Sequence, residues 1–329
     1  MPSTVGQGRS GNLYPDAVQV WRALDEVPGS ERSGPSVVTI GNFDGVHRGH
    51  QLLLAGLVSR ARELAADAVV VTFDPHPMTV IHPDSAPPRL TTLEHRLALL
   101  GDQGVDAVLV LPFTPELSRW EHDEFAQRVL VDALATVEVH VGENFRYGHR
   151  AAGDVDTLRA AGKRHGFAVV ALPLAGDGTR WSSTYVRQCL AEGDVASAAA
   201  ALGRPHRLEG TVVEGDKRGR ELGYPTANLD LPADAAIPDD GVYAGWLTRA
   251  DGTRMPAAIS IGTNPTFGGT TRRVEAYVLD RDDLELYGEH VAVDFLERLR
   301  ETVRFDGVEP LLAQMAKDVD RARELTAAT

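Results

Sequence analysis

The stretch over residues 39–50, TIGNFDGVHRGH, constrains this chain more than any other. An apolar run over 36–40 stops at Gly41-Asn42-Phe43-Asp44-Gly45, and a leucine-rich pattern of helical spacing begins at about Gly49. That is a strand, a tight loop and a helix N-terminus, whose unpaired backbone N–H groups and positive dipole end favour phosphate. His47 and His50 add imidazoles that donate hydrogen bonds to phosphate oxygens and stabilise charge built up during transfer. Gly49 between them removes a side chain where a ligand must come close. The competing readings are a surface histidine pair or two metal ligands at i and i+3, and no third ligand cluster with metal spacing supports the latter. Phosphate contact by Gly41, Phe43, Asp44, Gly45, His47, Gly49 and His50 is expected.

Downstream, Leu53, Leu57, Ala61 and Leu64 recur at helical spacing, and 68–73 is a continuous apolar strand, making a β-α-β unit. The pattern repeats through a helix at 94–100, a strand at 107–111, a helix at 118–134 capped by Ser118, and a strand at 137–141. A helix capped by Asp154 and ended by Gly166 leads to a strand at 167–172. Residues 18–24 read as a short strand or turn with Trp21 as a packing anchor. This alternation predicts a doubly wound, Rossmann-like α/β domain with ligands beyond the carboxyl ends of its strands.

Three loops there carry polar clusters. Phe73-Asp74-Pro75-His76-Pro77 leaves open whether His76 faces a nucleotide or only shapes the loop. The loop 142–148, with Asn144, Phe145, Arg146 and Tyr147, mixes an amide, a cation and aromatics as a base or flavin pocket would. Arg180, Ser183 and Thr184 precede or open a short helix, a second grip on phosphate that is compatible with simple capping.

A helical pattern over 194–202 ends at Gly203 and Pro205, and the texture then changes. Segments 208–213, 241–248, 255–261, 273–279 and 290–295 alternate or run apolar with β-branched residues between Gly, Pro and Asp turns, predicting a small antiparallel barrel closed by a helix at 308–325. Gly210, Gly215, Gly219 and Gly223, with Lys217, Arg218 and Arg220 among them, suit a backbone folded over phosphate, although this is no Walker A loop. In Tyr224-Pro225-Thr226-Ala227-Asn228, a hydroxyl and an amide two positions apart on an extended segment point the same way, both hard oxygen donors for Mg²⁺.

At 329 residues the chain is long enough for two domains. We expect a disordered tail over 1–17, a first domain over 18–190, a linker helix over 191–205 and a second domain over 206–329. The net charge of −14 opposes attraction to nucleic acid or anionic membrane, so a polyphosphate substrate needs local cations. Cys189 is the single cysteine, which excludes internal disulfides and Cys-rich metal sites and fits a reducing cytoplasm. No run is long enough for a membrane helix, and a monomer or weak homo-oligomer is expected.

Taken together, GNFDGVHRGH, FDPHP, GENFRYG and RWSST, followed by GYPTANL, GVYAG, SIGTNPTFGG and VEAYVLD, resemble the bacterial bifunctional riboflavin kinase/FMN adenylyltransferase family over about residues 18–327. The resemblance implies an amino-terminal nucleotidyltransferase module in which His47 and His50 bind ATP phosphates with Asn144, Arg180, Ser183 and Thr184. It implies a carboxy-terminal six-stranded flavokinase β-barrel with a closing helix, whose kinase ATP site comprises Gly210, Gly215, Lys217, Gly219, Gly223, Pro225, Thr226 and Asn228. Within it Thr226 and Asn228 match the Mg-ATP motif, Glu275 the catalytic base, and Arg300 the segment closing over flavin; Phe145 is expected at the flavin in the first module. Asn144 and Tyr277 stand where some relatives have aspartate and histidine. Riboflavin, FMN and ATP are the implied substrates and Mg²⁺ the implied cofactor. Another nucleotidyltransferase with a flavin-binding barrel, or a non-catalytic flavin or nucleotide sensor, are the rival readings.

Overall fold

The computed structural model describes residues 13–14, 18–28, 34–173, 181–215, 219, 222–263 and 272–328. The chain divides into two compact units, one spanning Asp16–Ser183 and the other Thr184–Thr329, with which Leu13 and Tyr14 group. The division falls at the start of the helix after residue 182, ahead of the expected boundary at 190. The presumed linker is built into the second unit, as its contacts below show.

The first unit is a parallel six-stranded sheet. Its strands are β1 (Gln19–Trp21), β2 (Ser36–Ile40), β3 (Asp67–Asp74), β4 (Ala107–Pro112), β5 (Thr136–Gly142) and β6 (Ala168–Leu172). They lie in the order β1-β4-β3-β2-β5-β6. Valine-rich runs suit this arrangement, because a parallel sheet is covered on both faces. Val38 and Ile40 enter one buried cluster with Leu109, Leu130, Val139 and Leu158, whereas Val37 enters the other with Leu54, Leu57, Val70 and Leu100. Trp21 anchors the first cluster as expected.

Helix α1 (Arg48–Glu63) joins β2 to β3, followed by α2 (Pro77–Ile81), α3 (Leu93–Gly101), α4 (His122–Phe125) and α5 (Val155–His165). Leu54, Leu57 and Ala61 are the buried face of α1, while Leu64 lies past its last turn and is 36% exposed. The helix expected from Ser118 begins later. Ser118 donates to the Pro115 carbonyl within a 3₁₀ turn, and Glu121 is the N-cap of α4, which runs on as a π-helical stretch over Ala126–Ala133. Asp154 caps α5 in a reciprocal capping box with Thr157, and Gly166 ends it with φ of 86°.

The second unit begins with α6 (Ser183–Ala191) and α7 (Val195–Leu202) and continues into a closed antiparallel barrel. Its strands are β7 (His206–Val213), β8 (Ala227–Asp230), β9 (Gly241–Arg249), β10 (Arg254–Thr263), β11 (Arg272–Val278) and β12 (His290–Arg300). Around the barrel they run β10-β11-β8-β7-β12-β9, closed by the β9–β10 pairing. Five of these were legible as strands; the sixth, β8, is only four residues long.

Close packing between strands dictates several glycines. A side chain at Gly210 would meet the Asp230 carbonyl at 2.3 Å, and one at Gly245 the Asp294 carbonyl at 1.9 Å. Helix α7 packs on β7 and β12, and the closing helix α8 (Val308–Ala327) packs on β9, β10 and β12, burying Ala322 against Ala244 and Leu279. Tyr14, expected in a disordered tail, donates to Glu209 on β7 and accepts from Arg207 at 3.2 Å; the remainder of residues 1–12 and 15–17 lies outside the described residues. Among the described residues no helix is long and apolar enough to cross a membrane.

Candidate active sites

In the sheet order, β2 connects to β3 on one side, and β4 then returns across to β5 on the other. The switch point therefore lies beside β2, and the rule for open α/β sheets places the ligand site beyond the carboxyl ends of β2 and β5. The loop after β2 is 41–47 and the loop after β5 starts at Glu143, so the two polar clusters expected at a ligand occupy this position.

The 41–47 loop is tightly wound. Phe43 (φ 49°) and Val46 (φ 37°) hold left-handed backbone that non-glycine residues seldom adopt, beside Gly45 at 82°. Strain of this kind persists only where the surroundings over-determine it. Here the Asp44 carboxylate accepts from the backbone N–H groups of Leu90 and Thr91 and from the Thr91 hydroxyl, all within 3.0–3.1 Å. The Ser183 hydroxyl donates to the Asp44 carbonyl at 2.8 Å. Asp44 is 3% exposed, so its side chain anchors the loop and does not face a ligand.

His47 is the N-cap of α1, its Nδ1 accepting the His50 N–H at 3.4 Å, so a neutral His47 carries its proton on Nε2. The two imidazoles stack at 3.7 Å between centroids, and Phe43 lies 4.9 Å from the His50 ring. Burial, and secondarily the His47 charge, hold the His50 pKa well below the usual imidazole value, so His50 is neutral. Its Nδ1 is buried with no hydrogen-bond partner. A side chain at Gly49 would press on the His47 ring at 3.1 Å and the Trp181 carbonyl at 3.2 Å, so the glycine makes room for the protein's own groups. A side chain at Gly41 would similarly meet the Phe43 ring at 3.1 Å.

His76 sits beside this loop. Its Nδ1 accepts the Met78 N–H at 3.2 Å and its Nε2 lies 3.1 Å from the Asn42 Nδ2, so the ring bridges two loops. In the β5 loop Asn144 is exposed, whereas Phe145 is half-buried and stacks on Tyr147 at 5.4 Å. Arg146 pairs with Asp154 at 3.2 Å and Tyr147 belongs to the core, so two of the four expected pocket residues have structural roles. Thr184 is exposed at the start of α6; Arg180 lies outside the described residues. Arg96, on α3 and 4% exposed, escaped the sequence reading; it donates to the carbonyls of Asn42 and Phe73 at 2.9 and 3.1 Å.

The second unit holds a separate constellation. Asn228 on β8 stands directly opposite Glu275 on β11, so the two side chains share one face of the barrel wall. Thr226, just before β8, donates its hydroxyl to Glu275 Oε2 at 3.2 Å. A cleft of about 70 Å³ opens here, lined by Gly215, Gly219, Pro225, Thr226 and Asn228, with Arg281, Leu286 and Tyr287 from the segment before β12. A side chain at Gly215 would lie 2.4 Å from the Asn228 amide, and one at Gly219 2.3 Å from the Tyr224 carbonyl, so both glycines shape this wall. Gly223 turns at φ of 85°. Lys217, Arg218 and Arg220 lie outside the described residues. Arg300 departs from the expectation of a flavin ligand: Asp318 on α8 takes its guanidinium at 2.8 to 3.1 Å, and Arg300 also donates to the Glu301 carbonyl. It therefore fastens the end of β12 to the closing helix.

Comparisons with known proteins agree with this division. The FAD synthetase family matches residues 30–185 and the riboflavin kinase family residues 202–326. The chain is 42% identical to a bifunctional riboflavin kinase/FMN adenylyltransferase of Pseudomonas fluorescens, covering 88% of this chain and 93% of the relative. It is 39% identical to one of Escherichia coli strain K12, covering 88% and 92%. A crystal structure described as a macrolide-efflux protein from Streptococcus pneumoniae superposes with a TM-score of 0.82 at 30% identity, covering 93% of this chain and 99% of that one.

Proposed function

This chain belongs to the bifunctional riboflavin kinase/FMN adenylyltransferase family, and from that premise we propose which of its residues perform each reaction. It phosphorylates riboflavin to FMN with ATP and then transfers the adenylyl group of a second ATP to FMN, giving FAD and pyrophosphate. The observation that supports the assignment best is that the histidine pair and the threonine–glutamate pair fall in different compact units, each with its own geometry.

In the kinase unit Glu275 accepts the proton as the 5′-hydroxyl of riboflavin attacks the γ-phosphorus and ADP leaves. The Thr226 hydroxyl holds the Glu275 carboxylate in place. That bond uses the threonine's only proton and leaves its oxygen lone pairs available. With the Asn228 carbonyl they are hard oxygen donors that fit Mg²⁺, which typically takes one or two protein oxygens and completes its shell with phosphates and water. When bound it neutralises phosphate charge.

In the adenylyltransferase unit the FMN phosphate, already anionic, attacks the α-phosphorus in line and needs no protein base. His47 and the neutral His50 act as hydrogen-bond donors beside the N-terminus of α1, stabilising charge on the phosphates. Asn144 completes the site from the β5 loop, and Phe145 flanks the flavin. The single, buried Cys189 supports action in a reducing cytoplasm, and the acidic net charge supports small-molecule rather than nucleic-acid partners. The test is His50→Ala with riboflavin, ATP and Mg²⁺: FMN accumulates and FAD does not form, whereas undiminished FAD formation contradicts the assignment.

A further inference from the structure

Two strands of the first unit end side by side at the phosphate loop. The last bond between them runs from the Gly41 N–H to the Val71 carbonyl at 3.0 Å, and the carbonyls of Asn42 and Phe73 lie past the end of the β2–β3 pairing, without a partner across it. Arg96 supplies one. Its fork donates Nη1 to Asn42 at 2.9 Å and Nη2 to Phe73 at 3.1 Å, with Asp74 at 3.7 Å, and its Nε is buried without a partner. A planar guanidinium offers two fixed donors in one plane, whereas an ammonium is a single point. The Asn42 carbonyl also accepts from the buried Thr72 hydroxyl at 3.1 Å, and the Asn42 amide meets His76.

We propose that Arg96 is a positioning residue for adenylyl transfer: its fork locks the 41–47 loop to the 73–76 loop and so sets where His47 and His50 stand relative to the phosphates of ATP. Nothing in the catalytic motifs points to it. It lies on α3, outside both loops, and acts only through their backbone. The inference rests on the assignment of the 41–50 segment to ATP.

Arg96→Lys is compared with Leu97→Ala, which opens a cavity on the same helix and leaves the Arg96 fork to both loop carbonyls in place. Both variants are assayed for FAD formation from supplied FMN across ATP concentrations, for FMN formation from riboflavin, and for thermal unfolding. Arg96→Lys should raise KM for ATP and lower kcat/KM about 10- to 100-fold, the loss that about 1 Å of misplacement produces. Riboflavin phosphorylation should stay within about twofold. Leu97→Ala should lower the melting temperature and leave KM for ATP unchanged.

An unchanged KM in Arg96→Lys, or an equal rise in Leu97→Ala, would show that Arg96 only fills space and would overturn the proposal. If Arg96→Lys does not fold, Thr72→Val tests the same carbonyl, and an unchanged KM for ATP there is equally fatal. Wild-type protein that made no FAD from FMN would instead refute the functional reading.

Discussion

Gly215 lies in the kinase unit and touches no reacting atom, yet its replacement by alanine should silence one activity and spare the other. An added Cβ would lie 2.4 Å from Asn228 Nδ2, 2.6 Å from Cγ and 2.7 Å from Oδ1. Ordinary carbon contacts start at about 3.5 Å, so the amide must retreat by about 1 Å. A displacement of that size costs about 100-fold in rate, or about 2.7 kcal/mol of transition-state stabilisation. The overpacking itself costs about 1–3 kcal/mol of stability, tolerable for a domain of this size. The assay separates FMN from FAD chromatographically, starting either from riboflavin or from FMN. Gly215→Ala should lose about two orders of magnitude in FMN formation with FAD formation from supplied FMN unaltered. Kinase activity within about twofold of wild type would refute the claim that the Asn228 amide must stand against a bare backbone.

Two other outcomes follow from groups held by burial. His50 is kept neutral in the folded state, while the unfolded chain takes up a proton near 6.5, the ordinary imidazole value. Its contribution is therefore fully present above that pH and is lost as pH falls toward the lower folded-state pKa, at up to about 1.4 kcal/mol per pH unit. Urea unfolding of wild type and His50→Gln between pH 7.5 and 5.5 should show a flatter profile in the variant; parallel profiles would contradict it. Asp318, buried against Arg300, should cost about 3 kcal/mol when changed to asparagine, because a guanidinium is left without its carboxylate. Thermal unfolding should register the loss in the kinase activity first, and an unshifted melting temperature would show that Arg300 finds another partner.

Much of this was readable in the residues before any coordinates. Period and punctuation gave the alternating α/β half and five strands of the barrel, because long apolar runs between turn residues have few alternatives. The sixth strand was hidden by its length and by carrying polar Asn228 in a wall position. Ser118 misled because a serine before a helical pattern suits a 3₁₀ turn as well as an N-cap, and the true start at Glu121 has no capping side chain. Motif matching grouped Asp44 with the phosphate residues and Arg300 with the flavin residues, yet each has its polar atoms engaged by protein. Sequence proximity to a ligand loop does not reveal which way a side chain turns. Arg96 did leave a signal: in LEHRLALL it lies three residues after Leu93 and four before Leu100, on the stripe that packs inward, where an arginine demands a partner.

The account stands or falls on there being two chemically separate centres, and Glu275→Gln probes that most directly. Supplied with riboflavin and ATP, the variant should make neither FMN nor FAD, because the base that takes the hydroxyl proton is gone. Supplied with FMN and ATP, it should form FAD at the wild-type rate, whereas loss of both activities in equal measure would contradict the account.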